Sequence, residues 1–247
     1  MVAPNGARKS QADHPALPLT LDEIVATAVE CHAAGADGLH LHLRDADGRH
    51  ILDADQYLAA LGALKSAVPD MLVQITTEAV GQYTAAQQRA IVVQTKPQSV
   101  SISLGEMLAD GDTQTATAFY ADCVQSDIAV QHILYGAPDL NMMSRLLDAG
   151  NFGVNALQLL FVLGRYSADQ QSAPEDLDPF LEWVTDTCPD ADWAVCAFGQ
   201  RETECLTHAF NKGGKVRVGF ENSLSNADGT MAKSNAERVT EVVKAIR

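Results

Sequence analysis

The chain is short of positive charge. It carries 17 Lys and Arg against 32 Asp and Glu, a formal net charge of −15. Nucleic acid and anionic membrane surfaces both need clustered Lys and Arg, so neither is an expected partner. The acidity itself reads as solubility, and an anionic ligand would need a local basic patch against that background. The five cysteines, Cys31, Cys123, Cys188, Cys196 and Cys205, are odd in number and form no C-x-x-C pair. They read as buried, reduced thiols rather than a disulfide framework. No apolar run approaches a membrane span, and Met1-Val2-Ala3-Pro4-Asn5-Gly6 does not read as a signal peptide, so a cytoplasmic protein is expected. No G-x-G-x-x-G follows the first apolar run, which withdraws support from a nucleotide-binding, doubly wound sheet. Linkers and low-complexity segments are missing too, so one domain over residues 1–247 is expected.

What is present is a repeat of short apolar runs: Met1–Ala3, Gly38–Leu43, Met71–Thr76, Ser99–Leu104, Ile128–Leu134, Leu157–Leu163, Trp193–Phe198 and Lys215–Phe220. Most are near-continuous in apolar character, as parallel strands covered on both faces must be. Between them lie helical patterns at Leu21–Ala34, Asp55–Ala67, Thr84–Val93, Thr113–Gln125, Asp139–Ala149, Pro174–Thr187, Arg201–Asn211 and Ser234–Ile246. The first follows Thr20 with Glu23 three residues on, and the last opens Ser234-Asn235-Ala236-Glu237; both spacings predict capping boxes. Alternating strands and helices over this length predict an α/β fold, a single (β/α)8 TIM barrel.

Active sites of that fold sit at the carboxyl ends of the strands. Polar residues gather there: Asn5; His40, His42 and Arg44; Thr76 and Thr77; Ser101 and Ser103; His132 and Tyr135; and Arg217, Glu221 and Asn222. His40 and His42 are two residues apart in Leu39-His40-Leu41-His42-Leu43-Arg44-Asp45, so on a strand both rings project to one face. Such a pair is a half-site for a divalent metal, or simply two hydrogen-bonded histidines. Closure of the barrel would bring the eighth strand to about 10 Å from the second. Glu221 then faces the pair, and His40, His42 and Glu221 make a three-ligand site with open positions, the pattern of a catalytic ion able to polarise a carbonyl. His132 is ambiguous. His14, His32, His50 and His208 read as surface residues, and Cys196 as a core filler.

Several stretches resemble the β-keto acid cleavage enzymes. They include Asn5-Gly6-Ala7, Ala12-Asp13-His14-Pro15, His40 through Arg49, Gln74-Ile75-Thr76-Thr77, Lys96-Pro97, Phe161-Val162-Leu163-Gly164, Val216 through Asn222 and Ala232 through Glu237. The resemblance implies a zinc-type ion on His40, His42 and Glu221. It implies the reaction of a β-keto acid with acetyl-CoA to give acetoacetate and a new acyl-CoA, by Claisen-type addition and retro-Claisen cleavage. Arg217 matches the active-site arginine of the family. Thr76 and Ser101 match hydroxyl residues that line the substrate, and Ser103 is a further substrate-lining candidate by its position. A homo-oligomer, tetramer or dimer, is implied as well.

The departures from the family are informative. Asn222 stands where an aspartate usually pairs with the arginine, and an amide there brings no negative charge. Arg8 replaces a glutamate of the member that acts on an amino substrate, which reverses the preferred ligand charge and points to an acidic keto acid. Thr77-Glu78-Ala79-Val80-Gly81 replaces paired glycines, and Glu78 is a candidate substitute for the missing acid. Two other readings stay open: a different metal-dependent barrel lyase or aldolase, and a ligand-binding homologue impaired at Asn222.

Overall fold

The computed structural model describes residues 1–150, 152 and 157–247. Its centre is a curled sheet of seven parallel strands. The strands are β1 (Gly38–Leu41), β4 (Leu72–Thr76), β5 (Ser99–Ser103), β6 (Ala129–Leu134), β7 (Gln158–Leu163), β8 (Asp192–Ala197) and β9 (Lys215–Val216), paired in that order. A small antiparallel hairpin, β2 (Leu43–Arg44) with β3 (His50–Ile51), stands at the carboxyl end of β1.

The expected first strand does not form as one. Val2 instead makes single parallel bridges to Leu39 on one side and Val218 on the other. Its amide donates to Gly38 O at 2.7 Å and its carbonyl accepts from His40 N at 2.8 Å, while Ala3 N reaches Val218 O at 2.8 Å. The N-terminal segment thus touches both edges of the sheet without being a strand. The last strand is also shorter than its apolar run, because Gly219 adopts φ +141. A Cβ there would lie 2.4 Å from Ala3 O, so the turn that follows β9 needs glycine.

Nine α-helices among the described residues cover the sheet: α1 (Leu21–Ala33), α2 (Ala54–Ala67), α3 (Ala85–Thr95), α4 (Leu104–Met107), α5 (Thr113–Gln125), α6 (Ala137–Asp148), α7 (Asp178–Thr187), α8 (Glu202–Asn211) and α9 (Asn235–Ile246). Helix α4, one turn after β5, has no counterpart in the periodicity. It starts because Ser103 Oγ accepts from Glu106 N. The run Pro174–Thr187 divides into a 3-10 turn, Pro174–Leu177, and α7.

Thr20 caps α1 in a full box with Glu23. At α9 only half of the expected box forms: Ser234 accepts from Glu237 N, but the Glu237 carboxylate takes Lys233 N instead. Ile24, Ala28 and Cys31 form the apolar stripe by which α1 joins the main hydrophobic core. Strand β5, Ser99-Val100-Ser101-Ile102-Ser103, is buried throughout. Its serines and its branched residues alternate between faces. Ser99 meets the interior amide Gln74, whereas Val100 and Ile102 join the main hydrophobic core. None of the described helices is long and apolar enough to cross a membrane.

Candidate metal centre

The carboxyl ends of the strands open on a cavity with about 700 Å³ of atom-free space, whose lining includes His40, His42, Thr76, Glu78, Arg217 and Glu221. His40 lies within β1 and His42 just beyond it, at the gap before the hairpin. Both are 1% exposed. Their Nε2 atoms are 3.0 Å apart. Glu221 Oε2 lies 3.8 Å from the first and 3.7 Å from the second. A point equidistant from these three atoms is about 2 Å from each, the length of zinc–nitrogen and zinc–oxygen bonds. Among the described residues, this is the one group of three or more His, Cys, Asp or Glu side chains with ligand atoms so convergent.

The surroundings suit a cation. Glu221 Oε2 is buried without a hydrogen-bond partner. Buried carboxylate oxygens are rarely left so, and this one points at two ring nitrogens. His40 Nδ1 meets Gln74 Oε1 at 3.0 Å, which makes Nδ1 the donor and leaves Nε2 as a lone pair facing the centre. Burial lowers the pKa of His40 to about 4, with Arg217 acting in the same direction. Burial also drives His42 well below the ordinary histidine range, helped by His40 and His50. Both rings are therefore neutral, the form that binds metal. Burial by itself would raise Glu221, but Arg217 and other neighbours outweigh it and hold the carboxyl below its usual value. The residues present fit a divalent ion.

Three layers of contact hold the trio. Gly6 presses on Glu221 so closely that a Cβ would come within 2.6 Å of its Cγ, and Gly6 has φ +60. The buried Arg44 guanidinium fixes this loop by donating to Gly6 O, Lys9 O and Gly48 O. Asn5 Nδ2 donates to His42 O at 3.2 Å and Pro18 O at 3.0 Å. Arg217 donates to Glu221 Oε1 at 3.2 Å and to Cys196 Sγ at 3.4 Å. The Cys196 thiol, pushed up to about 11 by burial, is a partner of Arg217 and no nucleophile.

The other sequence candidates fall into different places. Thr76 lines the cavity, and its Oγ1 accepts from Glu78 N at 3.0 Å. Arg8 lines the rim although it is an exposed residue. Ser101 is buried with a hydroxyl that has no partner, and it is not on the cavity wall. Ser103 caps α4 and opens on a neighbouring pocket with Tyr135 and Tyr166.

Asn222 sits apart from the cavity lining: its side-chain atoms are buried without hydrogen-bond partners, and Arg217 donates to Glu221. No hydrogen bond joins Asn222 to Arg217. His132 also leaves the site: it packs edge-on against Tyr120 of α5, ring centroids 4.9 Å apart. His50 and His14 are 3% exposed and are not surface residues. His50 Nε2 meets Glu78 O at 3.0 Å, and its ring centroid is 5.2 Å from that of His42.

Sequence reading missed Arg165 and Lys9. Arg165 Nη2 is 3.7 Å from Glu78 Oε1, and its guanidinium lies 5.3 Å from the Phe198 ring centre. Lys9 Nζ donates to Glu221 O at 2.6 Å. Both sit in loops whose direction only the fold sets; the run of basic residues Arg8-Lys9 was the available signal. Glu78 itself stands between His42 Nδ1, 3.9 Å away, and Arg165. Burial, then the charge of Glu221, raise its pKa to about 7.

The chain is 28% identical over 246 residues to a 3-keto-5-aminohexanoate cleavage enzyme of Acetoanaerobium sticklandii, covering 97% of this chain and 88% of that protein. It is 25% identical over 245 residues to a 3-oxoadipate:acetyl-CoA acetyltransferase of Cupriavidus necator, with 98% and 85% covered. Among solved structures, a ternary complex of ObcA with a C4-CoA adduct and oxalate superposes with a TM-score of 0.74 at 17% identity. That likeness is one of fold; it covers 93% of this chain, which spans 63% of the ObcA chain. The profile of the beta-keto acid cleavage enzyme family matches residues 1–247, and the chain belongs to that family.

Proposed function

We propose that this protein is a metal-dependent β-keto acid cleavage enzyme that converts a β-keto acid and acetyl-CoA into acetoacetate and a new acyl-CoA. The reading includes a (β/α)8 barrel in which the N-terminal segment holds the eighth place between β1 and β9. The observation that carries it is the convergence of His40 Nε2, His42 Nε2 and the unpartnered Glu221 Oε2 at one point of an open cavity. A zinc-type ion held there would supply Lewis acidity toward the carbonyl oxygen of a β-keto acid.

The chain's own residues would do the rest. The reaction removes a proton from C2 of the keto acid, joins C2 to the thioester carbonyl and expels the CoA thiolate. The thiolate then attacks the original keto carbonyl, the old C2–C3 bond breaks, and C2 of acetoacetate receives its electrons together with the proton removed at the start. Negative charge thus develops on carbonyl oxygens at each stage, where fixed cationic groups help most. Arg217 is placed for that task, buried and anchored by Glu221 and Cys196. Glu78, the cavity carboxyl beside His42 that is not one of the three ligands, would take the C2 proton and give it back.

The rim supports an acidic substrate. Arg8, Lys9, Arg165 and Arg217 line the cavity against two acids, Glu78 and Glu221. A distal carboxylate on the keto acid would complement that excess, in keeping with the similarity to an enzyme named for 3-oxoadipate. The test is acetoacetate formation by the zinc-loaded protein from acetyl-CoA with cationic, neutral and dicarboxylic β-keto acids. The expected result is highest kcat/KM on a dicarboxylic acid, lowered about 10-fold or more by Arg8→Glu, the effect of one reversed charge pair near a partly exposed anion. Preference for the cationic acid would overturn the substrate reading, and no acetyl-CoA-dependent turnover on any class would overturn the reaction.

A further inference from the structure

The block Ser234-Asn235-Ala236-Glu237 lies far from the cavity in sequence and does not line it. Asn235 is nevertheless 1% exposed, at the first turn of α9, with both ends of its amide in use. Its Oδ1 accepts from Phe220 N at 2.9 Å. Its Nδ2 donates to Pro4 O at 3.0 Å. Phe220 is the residue before Glu221, and Pro4 is the residue before Asn5.

These two bonds reach both halves of the metal trio. On one side, Asn235 holds the amide that leads directly into Glu221, whose own amide donates to Ala3 O at 3.1 Å. On the other, it holds the carbonyl that leads into Asn5, and Asn5 Nδ2 holds the His42 carbonyl. Gly219 closes the arrangement, since a Cβ there would lie 3.0 Å from Asn235 Oδ1. The remaining amide of the turn, Gly219 N, is taken by buried Glu202 Oε1 at 3.2 Å.

We propose that Asn235 is a positioning residue for the metal centre: its amide clamps the strand-end turn carrying Glu221 to the N-terminal loop that holds His42, and so sets the separation of the three ligand atoms. The proposal rests on the metal reading of His40, His42 and Glu221. A side chain that acts only on helix α9 would cap it, and that task already belongs to Ser234. Asn235 spends both of its polar ends outside the helix, on segments 15 and 231 residues away. Partners that orient ligands typically change metal affinity by about 10- to 100-fold when removed.

The experiment measures zinc affinity by chelator competition, and the visible spectrum of the cobalt-substituted protein, for the wild type and for Asn235→Leu, Asn235→Asp and Ser234→Ala. Asn235→Leu removes both bonds, Asn235→Asp keeps the acceptor to Phe220 N, and Ser234→Ala weakens the start of α9 alone. The expected result is a loss of about 10-fold or more in zinc affinity with an altered cobalt spectrum for Asn235→Leu, a smaller loss for Asn235→Asp, and neither change for Ser234→Ala. If Asn235→Leu does not fold, Asn235→Asp against Ser234→Ala decides alone. Wild-type affinity and spectrum in the folded Asn235 variants, or equal weakening by Ser234→Ala, would overturn the proposal while leaving the metal reading intact. A wild-type protein that binds neither ion would overturn the metal reading itself.

Discussion

Two buried polar clusters lie on either side of the turn after β9, and they are built on opposite rules. Behind the turn, Glu202 and Arg238, both 0% exposed, pair at 2.9 Å. Arg238 also donates to Thr203 Oγ1 at 2.8 Å and pairs with Glu241, and Thr203 donates to Glu241 at 2.7 Å. Charges there close on each other. In front of the turn, His40, His42 and Glu221 leave Nε2, Nε2 and Oε2 directed at one another. His40 Nε2 has no proton to give, since its neutral ring spends its N–H on Gln74, and the Glu221 carboxyl is held ionised, so the single N–H of neutral His42 is the one proton the three atoms could share. A buried network whose charges pair with one another stabilises one geometry, whereas one that leaves its lone pairs convergent is completed by a cation.

Removing members of each cluster separates the two rules. The largest effect is expected at the front. Glu221→Gln or His42→Ala should lower zinc affinity by more than the roughly 100-fold seen for outer-shell partners, by equilibrium dialysis. The metal-free form should keep its denaturation midpoint or gain, because a buried charge or a poorly satisfied ring is removed. A large loss of metal-free stability with zinc affinity retained would erase the distinction.

At the rear the pattern should invert. Arg238→Ala leaves Glu202 buried without its charge partner and should cost about 3–5 kcal/mol in urea unfolding, with zinc affinity of the folded protein within a few-fold of wild type. The double variant Glu202→Gln/Arg238→Met should recover part of that loss. No recovery would mean that the pair does not act as a closed unit.

A smaller effect tests the histidines by pH. Burial lowers His132 to about 4, and its ring meets Tyr120 and Phe152 edge-on. The unfolded chain takes up the proton near pH 6.5 and the folded one only near 4. Stability is therefore full above 6.5 and falls as pH drops from 6.5 toward 4, by up to about 3 kcal/mol for this group. His40 and His50 shift to about 4 for the same leading reason and add to the acid loss in the metal-free protein. His132→Leu should flatten the unfolding free energy against pH between 6.5 and 4 by about one proton's slope. An unchanged slope would show that His132 is not neutral in the fold.

Much of this architecture is written locally. Thr20 and Glu23 start α1 by reciprocal bonds within three residues, so spacing alone suffices. The β5 serines alternate with Val100 and Ile102 because side chains on a strand alternate whatever the neighbours are. His40 and His42 share a face for the same reason, and their pairing was legible from two residues. Features that depend on a third body were not. Glu237 leaves its box for Lys233 N, so the α9 cap is only half what the sequence suggests. His50 looked like a loop residue but is buried by the hairpin that returns it beside His42. Asn222 looked like a partner of Arg217, whose hydrogen bonds go to Glu221 and Cys196.

The sequence by itself determined the period of strands and helices, the excess of negative charge, and the residue types able to bind a metal. Each of these depends on neighbours a few positions apart or on composition. Only the tertiary structure decided that His40, His42 and Glu221 meet, that Arg165 and Glu78 face the same cavity, and that Asn235 ties the two chain ends behind it. Apart from the His40–His42 pair, those contacts join residues from 15 to 231 positions apart, separations across which the chain carries no local signal, so their geometry exists only once the sheet has curled.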